Sequence, residues 1–462
     1  MTLQRYARST RLPVPAEEAF AWLARPGAFE RLNPPFEPAT VLSRTGGIED
    51  GARVVLRAGP LGAVWEVEHR GFVPGRRFTD VMRRGPFARW EHVHRVDPDG
   101  DAACVHADEI AWALPCGALV HPFAAPLVRR RLDRMFAYRH RVFAEDLAMH
   151  ARARAAGVGP LRVLVTGATG LVGGALVPAL TTGGHTVLRL TRAPRAPGDV
   201  GWDPAAGTLD RAALEGVDAV VHLAGENVAG ARWSDAHRAR VRDSRVRGTR
   251  LLAGALAGLA RPPRVLVSAS ASGIYGDRGE ETLDESAPPG SGFLAEVGRA
   301  WEEATAPAAA AGIRVVHLRI GVVLTPAGGA LARLLLPFRL GLGGPLGHGR
   351  QWWPWIAMDD LVGAIHHALV REELCGPVHA VAPGAVRNAE FARVLGRVLR
   401  RPALAPAPAF ALRAALGPMA DEMLLAGQRM VPARLLATGY PFRTPDLEDA
   451  LRHVLGAPGA RA

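Results

Sequence analysis

At 462 residues the chain is too long for one ordinary domain, and 48% hydrophobic with 22% charged residues is typical of globular proteins with sizeable cores. The net charge is +12, yet the sequence contains no lysine, so all 56 basic residues are arginines. They are scattered, and the one compact cluster, residues 129–131 with Arg134, is predicted to be a solvated helix face. Nucleic acid is therefore not an expected partner.

The cysteines and the apolar segments indicate a reduced, non-membrane environment. Cys104, Cys116 and Cys375 are too few and too unpatterned for a disulfide framework or a zinc site. The first ten residues lack the apolar core of a signal peptide, and arginine, proline and glycine interrupt the leucine-rich stretch 331–346. A cytoplasmic protein without a membrane span is expected, with its oligomeric state left open.

Residues 1–150 have the pattern of an α+β domain. A strand-like start precedes a short amphipathic helix at 15–23, and turn signals separate the strand candidates that follow. The predicted strands are residues 52–56, 64–72, 77–83, 88–96 and 103–114. A helix of about five turns is predicted at 127–147, followed by an Ala/Gly-rich linker at 151–160.

This order of elements resembles the START-like, polyketide-cyclase type of small-molecule domain, which has a helix-grip fold. The resemblance implies a cavity between the sheet and the long helix that takes an apolar ligand. His92 and His94 alternate on one predicted strand and share a face, with His106 nearby. We interpret them as ordinary surface histidines, with metal binding as the less favoured alternative, so no metal site is predicted.

The second part of the chain begins with LRVLVTGATGLVG at residues 161–173. A short apolar strand, a glycine-rich turn and a helix start form the arrangement that holds a pyrophosphate on backbone N–H groups. The first glycine permits the turn, the second lets the backbone approach the phosphates, and the third lets the helix pack on the strand. The stretch predicts a dinucleotide site; the alternative is an ordinary tight turn.

Beyond this turn, strands and helices alternate, which predicts a parallel doubly wound sheet. Predicted strands are 186–190, 218–223, 264–268 and 314–318, and predicted helices are 235–259 and 294–311. The strand 186–190 is followed by Thr191 and Arg192 rather than by an acid. A carboxylate there would favour NAD, whereas a guanidinium suits a 2′-phosphate, so NADP is the predicted cofactor.

Several segments carry a family resemblance. TGATGLVG, HLAGENV, VSASASGIYGD, LRIGVVL and residues 330–365 resemble the extended short-chain dehydrogenase/reductases, in their epimerase-family or nucleoside-diphosphate-sugar epimerase-like branch. Residues 405–455 are similar to the small domain appended to that branch, some bacterial members of which carry a START-like domain. The resemblance implies a helix-grip α+β domain, a Rossmann-type α/β domain over 161–404, and a small, mainly helical C-terminal domain.

The resemblance also implies the cofactor contacts. They are Gly167, Gly170 and Val172 around the pyrophosphate, Thr191 and Arg192 at the 2′-phosphate, Leu223 and Ala224 beside adenine and ribose, and Arg245 and Val323 at two further positions. Arg245 is interpreted either as a ligand that reaches phosphate or ribose from a helix, or as a solvated surface charge.

The catalytic residues depart from the family pattern. The usual mechanism uses a tyrosine as general acid or base and a lysine four residues later that lowers its pKa. Phe293 and Val297 stand at those positions in this chain. Ser270, the closest match to the family's serine, is predicted to hydrogen-bond a substrate carbonyl, and Tyr275 to line the substrate cleft. Glu302 is a candidate acid or, alternatively, a salt-bridge residue.

A loop at residues 344–358 matches the segment that closes over the substrate in extended reductases. Its aromatic and polar residues, which suit a ring and a phosphate or form a hydrophobic lid, are Arg350, Gln351, Trp352, Trp353 and Trp355. The favoured function is hydride transfer between NADP and a carbonyl or sugar-nucleotide-like small molecule. The alternatives are a catalytically silent NADP(H)-binding redox sensor and an apolar-ligand carrier or sensor that uses the N-terminal domain.

Overall fold

The computed structural model describes residues 3–59, 62–115 and 117–458, and for residues 117–121 only the backbone, so that Cys116 lies outside the described residues. The described residues divide into two compact units: those of 3–159 with 181–184, and those of 160–180 with 185–458. Among the described residues, no helix has both the length and the apolar composition needed to cross a bilayer.

The first unit is an antiparallel sheet with two short helices and one long one. Its elements are β1 (Gln4–Leu12), α1 (Ala16–Ala24), α2 (Ala28–Leu32), β2 (Ala39–Thr45), β3 (Arg53–Ala58), β4 (Ala63–Val73), β5 (Arg77–Arg84), β6 (Arg89–Pro98), β7 (Cys104–Ala113) and α3 (Gly117–Ala155). The strand order is β1-β7-β6-β5-β4-β3-β2. The predicted strands correspond to β3–β7.

Three elements of this unit differ from the prediction, the first being the short helix α2, which was not predicted. The edge strand β2 was not predicted, because none of its side chains is buried and it therefore has no apolar alternation. The long helix begins before Pro122 and Pro126, both of which it contains, and it continues to Ala155, into the predicted linker. The predicted bounds of this helix, 127–147, were therefore too narrow at both ends.

The three histidines predicted to lie on the surface are buried, which corrects that prediction. His92, His94 and His106 are only 5%, 4% and 3% exposed. They lie on the inner face of β6 and β7, where the carboxylates of Asp80 and Asp108 contact their ring nitrogens. Alternation on a strand showed that His92 and His94 share a face but not which face is buried.

The second unit contains an eight-stranded sheet with helices between its strands, confirming the predicted α/β fold. Its elements are β8 (Arg162–Thr166), α4 (Leu171–Thr182), β9 (Thr186–Thr191), β10 (Asp199–Asp203), β11 (Thr208–Leu209), β12 (Ala219–His222), α5 (Asp235–Ala257), β13 (Val265–Ala271), β14 (Thr282–Leu283), α6 (Phe293–Glu303), α7 (Ala306–Ala310), β15 (Arg314–Ile320), β16 (Val322–Leu324), α8 (Gly329–Arg339), β17 (Trp352–Trp353), β18 (Trp355–Ala357), α9 (Met358–Val370), β19 (Gly376–Ala380), β20 (Val386–Arg387), α10 (Asn388–Leu399), α11 (Ala409–Leu416), β21 (Arg429–Met430), α12 (Ala433–Ala437) and α13 (Leu447–Leu455).

The strand order positions the site. The sheet runs β11-β10-β9-β8-β12-β13-β15-β19, and every neighbouring pair except β10–β11 is parallel. The order reverses between β8 and β12, and ligands of such sheets bind at the carboxyl ends beside that switch point. The central strands are buried on both faces, which explains their nearly continuous apolar sequences.

Two further details concern the helices. The helix predicted at 294–311 is two helices, because the backbone turns at Thr305, whose hydroxyl donates to the Glu302 carbonyl at 2.7 Å, and α7 starts anew before Pro307. The C-terminal segment is tied to α9 through the buried Asp360 carboxylate, which accepts hydrogen bonds from the backbone N–H groups of Arg443 and Thr444 at 2.7 and 2.9 Å.

Candidate cofactor and active site

The glycine-rich turn between β8 and α4 forms a cradle of backbone atoms, and two of its glycines have no room for a side chain. Gly167 has a φ of 66°, and a Cβ there would lie 2.9 Å from the carbonyl carbon and oxygen of Leu223. A Cβ at Gly173 would overlap the Gly167 carbonyl oxygen. The first-turn N–H groups of α4 lack partners within the helix, so the turn presents backbone donors to an anion. These residues fit a dinucleotide pyrophosphate.

The end of β12 is fastened to this cradle by a threonine that the sequence analysis did not single out. The Thr166 hydroxyl oxygen accepts hydrogen bonds from the N–H groups of Leu223 and Ala224, both at 3.0 Å. The predicted contacts of the glycine turn and of β12 are therefore neighbours in the structure. Val323, in β16, lies close to Gly329 at the start of α8.

The end of β9 carries an exposed cation. Arg189 within β9 is neutralised by Asp199, whose carboxylate lies 2.7 Å from its Nε. Arg192, immediately after the strand, is exposed and forms no ion pair within the described part of the chain. Its guanidinium is thus available to a 2′-phosphate. The neighbouring acid, Asp199, is already paired with Arg189.

Arg245 is half-buried, not the solvated charge that one interpretation predicted. Its guanidinium donates to the carbonyl oxygens of Glu226 and Val241 at 2.9 and 3.1 Å, and its Cζ lies 4.9 Å from the centre of the Trp301 ring. Burial lowers its pKa to about 10. The residue supports the loop that follows β12, and its remaining N–H groups can serve a ligand.

Ser270 belongs to a row of hydrogen-bonded side chains across the carboxyl ends of three strands. The members of this row are Ser270, Glu302, Arg319, Tyr275 and His379. Its hydroxyl donates to Glu302 Oε1 at 2.7 Å, and the Arg319 guanidinium binds both Glu302 oxygens at 2.9 Å. Ser270 and Arg319 are register partners on β13 and β15, and Arg319 and His379 are partners on β15 and β19. The salt-bridge interpretation of Glu302 therefore matches the geometry.

Tyr275 continues this row and is fully buried, so its hydroxyl does not line an open cleft as predicted. It accepts from Arg319 Nη1 and lies 2.6 Å from His379 Nε2. His379 Nδ1 lies 2.8 Å from the carbonyl oxygen of Val431, an acceptor only, so Nδ1 carries the proton and Nε2 accepts from Tyr275. This geometry favours a structural role for Tyr275.

The groups of the row have pKa values far from neutrality. Burial raises the pKa of Tyr275 to about 12 and lowers that of His379 to about 4. Burial alone would raise the pKa of Glu302, but the hydrogen bonds and charge of Arg319 outweigh it and hold that pKa below its usual value. Near pH 7 the row is one ion pair with a neutral phenol and a neutral imidazole.

Comparison with known proteins identifies the family of the chain. The NAD dependent epimerase/dehydratase family matches residues 163–379, and a domain of unknown function (DUF1731) matches residues 407–454. The epimerase family protein Mb2239 of Mycobacterium bovis is 44% identical over 300 residues, which are 64% of this chain and 98% of that protein. The chain belongs to the epimerase family.

Two solved structures extend the comparison. The nucleoside-diphosphate sugar epimerase from Corynebacterium glutamicum is 37% identical and superposes with a TM-score of 0.81 over 98% of this chain and 90% of its own. The human epimerase family protein SDR39U1, solved with NADPH, is 39% identical, with a TM-score of 0.59 over 64% of this chain and 99% of its own. NADPH in this relative agrees with the predicted cofactor.

Phe293 and Val297, which the resemblance assigns to the positions of the family's tyrosine and lysine, are apolar and buried. Phe293 packs against Trp233, with ring centres 5.1 Å apart, and both belong to an apolar cluster with Val297. The start of α6 is capped from the C-terminal segment, because the Glu422 carboxylate accepts from the N–H groups of Phe293 and Leu294 at 3.1 and 2.8 Å. This cap is 129 residues away in sequence, so no local signal predicts it.

A cavity of about 380 Å³ lies beside this cap, at the end of β13. It is lined by Gly273, Gly276, Asp277, Ser291, Gly292, Leu294, His348, Ala409, Arg413, Asp421, Glu422, Leu425 and Ala426. The tryptophans of the loop 344–358 do not line it: Trp353 and Trp355 are buried, and Trp352 lies between the Arg387 and Arg429 guanidinium groups. The hydrophobic-lid interpretation of this loop fits better than ring stacking on a substrate.

Proposed function

We propose that the chain is an NADP(H)-dependent oxidoreductase of the epimerase family that interconverts an alcohol and a carbonyl group on a small, sugar-nucleotide-like molecule. The observation that carries the proposal is the glycine cradle at the switch point, with the unpaired Arg192 at the end of the next strand. Gly167, Gly170 and Val172 would hold the pyrophosphate.

The proton chemistry of the proposal follows from the direction of one hydrogen bond. The bound cofactor supplies or accepts a hydride. Because the Ser270 hydroxyl donates to the Glu302 carboxylate, its oxygen presents lone pairs and can accept a bond from a substrate hydroxyl. Ser270 would take the substrate proton while passing its own to Glu302, and the reverse reaction returns both. Ser270 thus contacts a substrate hydroxyl in this proposal, whereas the sequence pattern predicts a contact with a substrate carbonyl.

Glu302→Gln tests this relay. We expect turnover of a panel of carbonyls and sugar nucleotides with NADPH to fall about 100-fold, since proton transfer of this kind contributes at least that much. The Kd for NADPH should stay within about twofold, because Glu302 does not belong to the cradle. Ser270→Ala should behave alike, and the neighbouring exposed Glu303→Gln is the control. Unchanged turnover in Ser270→Ala would exclude the relay.

The pH profile gives a second test. Burial raises the pKa of Tyr275 to about 12 and lowers the pKa of His379 to about 4, while Arg319 outweighs burial and holds the pKa of Glu302 below its usual value. The Glu302 carboxylate is present above that lowered pKa and is lost only as the pH falls through it. We therefore expect kcat to be flat from about pH 6 to pH 10, with the loss confined to acid. A break in kcat near pH 7 would contradict the relay.

A second candidate function is a silent NADP(H)-binding redox sensor. The apolar contacts of Phe293 and Val297 favour it, because they place no proton donor where the family's pair would act. The same substrate panel separates the two proposals. NADPH binding without any turnover supports the sensor, and turnover that depends on Ser270 supports the oxidoreductase.

For the first unit, we propose a START-like helix-grip module that binds a small ligand. Its support is the seven-stranded antiparallel sheet with a long helix, α3, whose buried face carries Phe136, Phe143 and Leu147. The ligand expected from the resemblance is apolar. The side chains at the centre of this unit are nevertheless polar.

A further inference from the structure

A cluster of histidine and aspartate side chains fills the centre of the first unit. Asp108, on β7, is 1% exposed. The ring nitrogens of His92 and His94 lie 2.7 and 2.8 Å from its Oδ1, and those of His106 and His140 lie 3.1 and 3.0 Å from its Oδ2. Four imidazoles therefore surround one buried carboxylate.

Strand register and helix periodicity explain why these side chains meet. His94 and Asp108 are direct partners across β6 and β7, and residues two apart on a strand point to the same face. His140 comes from α3, on the buried helix face that also carries Phe136 and Phe143. These two aromatic rings pack against the imidazoles of His92 and His106, with ring centres 5.3 and 5.0 Å apart.

The cost of burying such groups points to a polar occupant. A buried carboxylate loses several kcal/mol of hydration unless partners compensate it. An apolar ligand at this place would leave the imidazoles and the carboxylate facing hydrocarbon. A cation, by contrast, interacts favourably with every donor atom that converges there.

We propose that His106, Asp108 and His140 bind a divalent first-row transition metal ion, such as Zn²⁺ or Fe²⁺. Two imidazole nitrogens and one carboxylate oxygen suit these ions better than Ca²⁺ or Mg²⁺, which prefer oxygen ligands alone. The three donor atoms all lie within 4.8 Å of one another. This site is independent of the NADP(H) site and of the oxidoreductase function proposed for the second unit.

The distances allow an ion with small side-chain shifts. The two N···O separations are 3.1 and 3.0 Å. Ligands around a tetrahedral zinc ion with bonds of about 2.0–2.1 Å are roughly 3.3 Å apart. An increase of a few tenths of an ångström therefore replaces the two N···O hydrogen bonds by metal coordination, and each neutral ring then carries its proton on Nδ1 instead of Nε2.

Outer contacts hold the ligands in this orientation. The other ring nitrogen of His140 lies 2.8 Å from the Thr10 hydroxyl, which fixes the ring with Nε2 towards Asp108. His94 contacts Asp108 through Nδ1 and Asp80 through Nε2, so it links the central carboxylate to a second one. Such partners orient metal ligands in known sites.

The charge of the cluster and its access to solvent also suit a bound divalent cation. The carboxylates of Asp80 and Asp108 carry two negative charges, and His94 contacts both of them through its two ring nitrogens. A divalent cation adds positive charge at Asp108, the more buried of the two carboxylates. The Asp80 side chain is 24% exposed, so the cluster reaches solvent at this carboxylate. Three protein ligands leave a coordination position for water or a small ligand, as in metal sites that act on a substrate.

Cobalt binding to the full-length, chelator-treated chain tests the proposal. We expect about one equivalent of Co²⁺ to bind with submicromolar affinity, to produce visible d–d bands of a low-coordinate site, and to be displaced by Zn²⁺. X-ray absorption of the zinc-loaded wild-type chain should show two imidazoles and oxygen as ligands. This measurement needs no variant, so a folding defect cannot confuse it.

Variants then locate the site. Asp108→Asn and His140→Ala should each weaken the Kd for Co²⁺ more than about 100-fold, a larger loss than outer-shell changes cause. His348→Ala, at an exposed histidine of the second unit, should leave it unchanged. If wild-type protein binds no Co²⁺, or if the bands persist unchanged in both variants, the cluster is a proton-only hydrogen-bond network and the proposal is wrong.

Discussion

Gly173→Ala is expected to weaken NADPH binding about 1,000-fold, which corresponds to about 4 kcal/mol. A Cβ at this position overlaps the carbonyl oxygen of Gly167 and closely approaches Ala168, both backbone groups of the cradle. The turn must open to admit the methyl group, and its N–H groups then no longer converge on the pyrophosphate. The Kd is measured by the fluorescence of NADPH on titration with the variant.

Gly174→Ala is the matched control for this change. The next residue of the same helical turn has no heavy atom within 4 Å of the place where a Cβ would lie. The variant should bind NADPH within about twofold of wild type and gain up to about 1 kcal/mol of stability from helix propensity. Unchanged binding in Gly173→Ala would show that the cofactor does not use this turn.

Arg192→Asp is expected to reverse the cofactor preference. Losing a charge-assisted bond to the 2′-phosphate, and placing a carboxylate beside it, should weaken NADPH binding about 100-fold. NADH binding should hold or improve, because an acid at this position accepts hydrogen bonds from the ribose 2′-hydroxyl. Parallel titrations with NADPH and NADH measure the ratio of the two Kd values.

Arg57→Asp makes the same charge change at an exposed arginine of the first unit and controls for net charge. It should leave both Kd values as they are. If the Arg192→Asp variant retained wild-type affinity for NADPH, Arg192 would not be the residue that selects NADP. In that case the preference would have to come from other residues.

The parts of the fold that the sequence predicted are those with local signals. The turn 167–173 is predictable because one strand end, three glycines and one helix start are contiguous, and the buried strands because their apolar runs are continuous. The edge strand β2 has no buried side chain and hence no pattern. Pro122 and Pro126 concealed the true start of α3, since proline is unfavourable inside a helix.

The candidate sites were predicted only where their residues are close in sequence. Ser270 was singled out from the local pattern at the end of its strand, but its partners Glu302 and Arg319 are joined to it by strand register and by a helix 32 residues away. The alternation of His92 and His94 was visible, whereas their burial depends on Asp108 and on a helix that follows later. The partners of Ser270 and the burial of the two histidines depend on long-range pairing of elements, which residue type alone does not show.

The most direct test of the central claim, that this chain is an NADP(H)-binding member of the epimerase family, is a titration of the purified full-length protein with NADPH and with NADH. We expect saturable NADPH binding in the micromolar range or tighter, with a Kd at least about tenfold below that for NADH, which corresponds to about 1.4 kcal/mol at the 2′-phosphate. Failure to bind NADPH, or equal Kd values for the two cofactors, would contradict it.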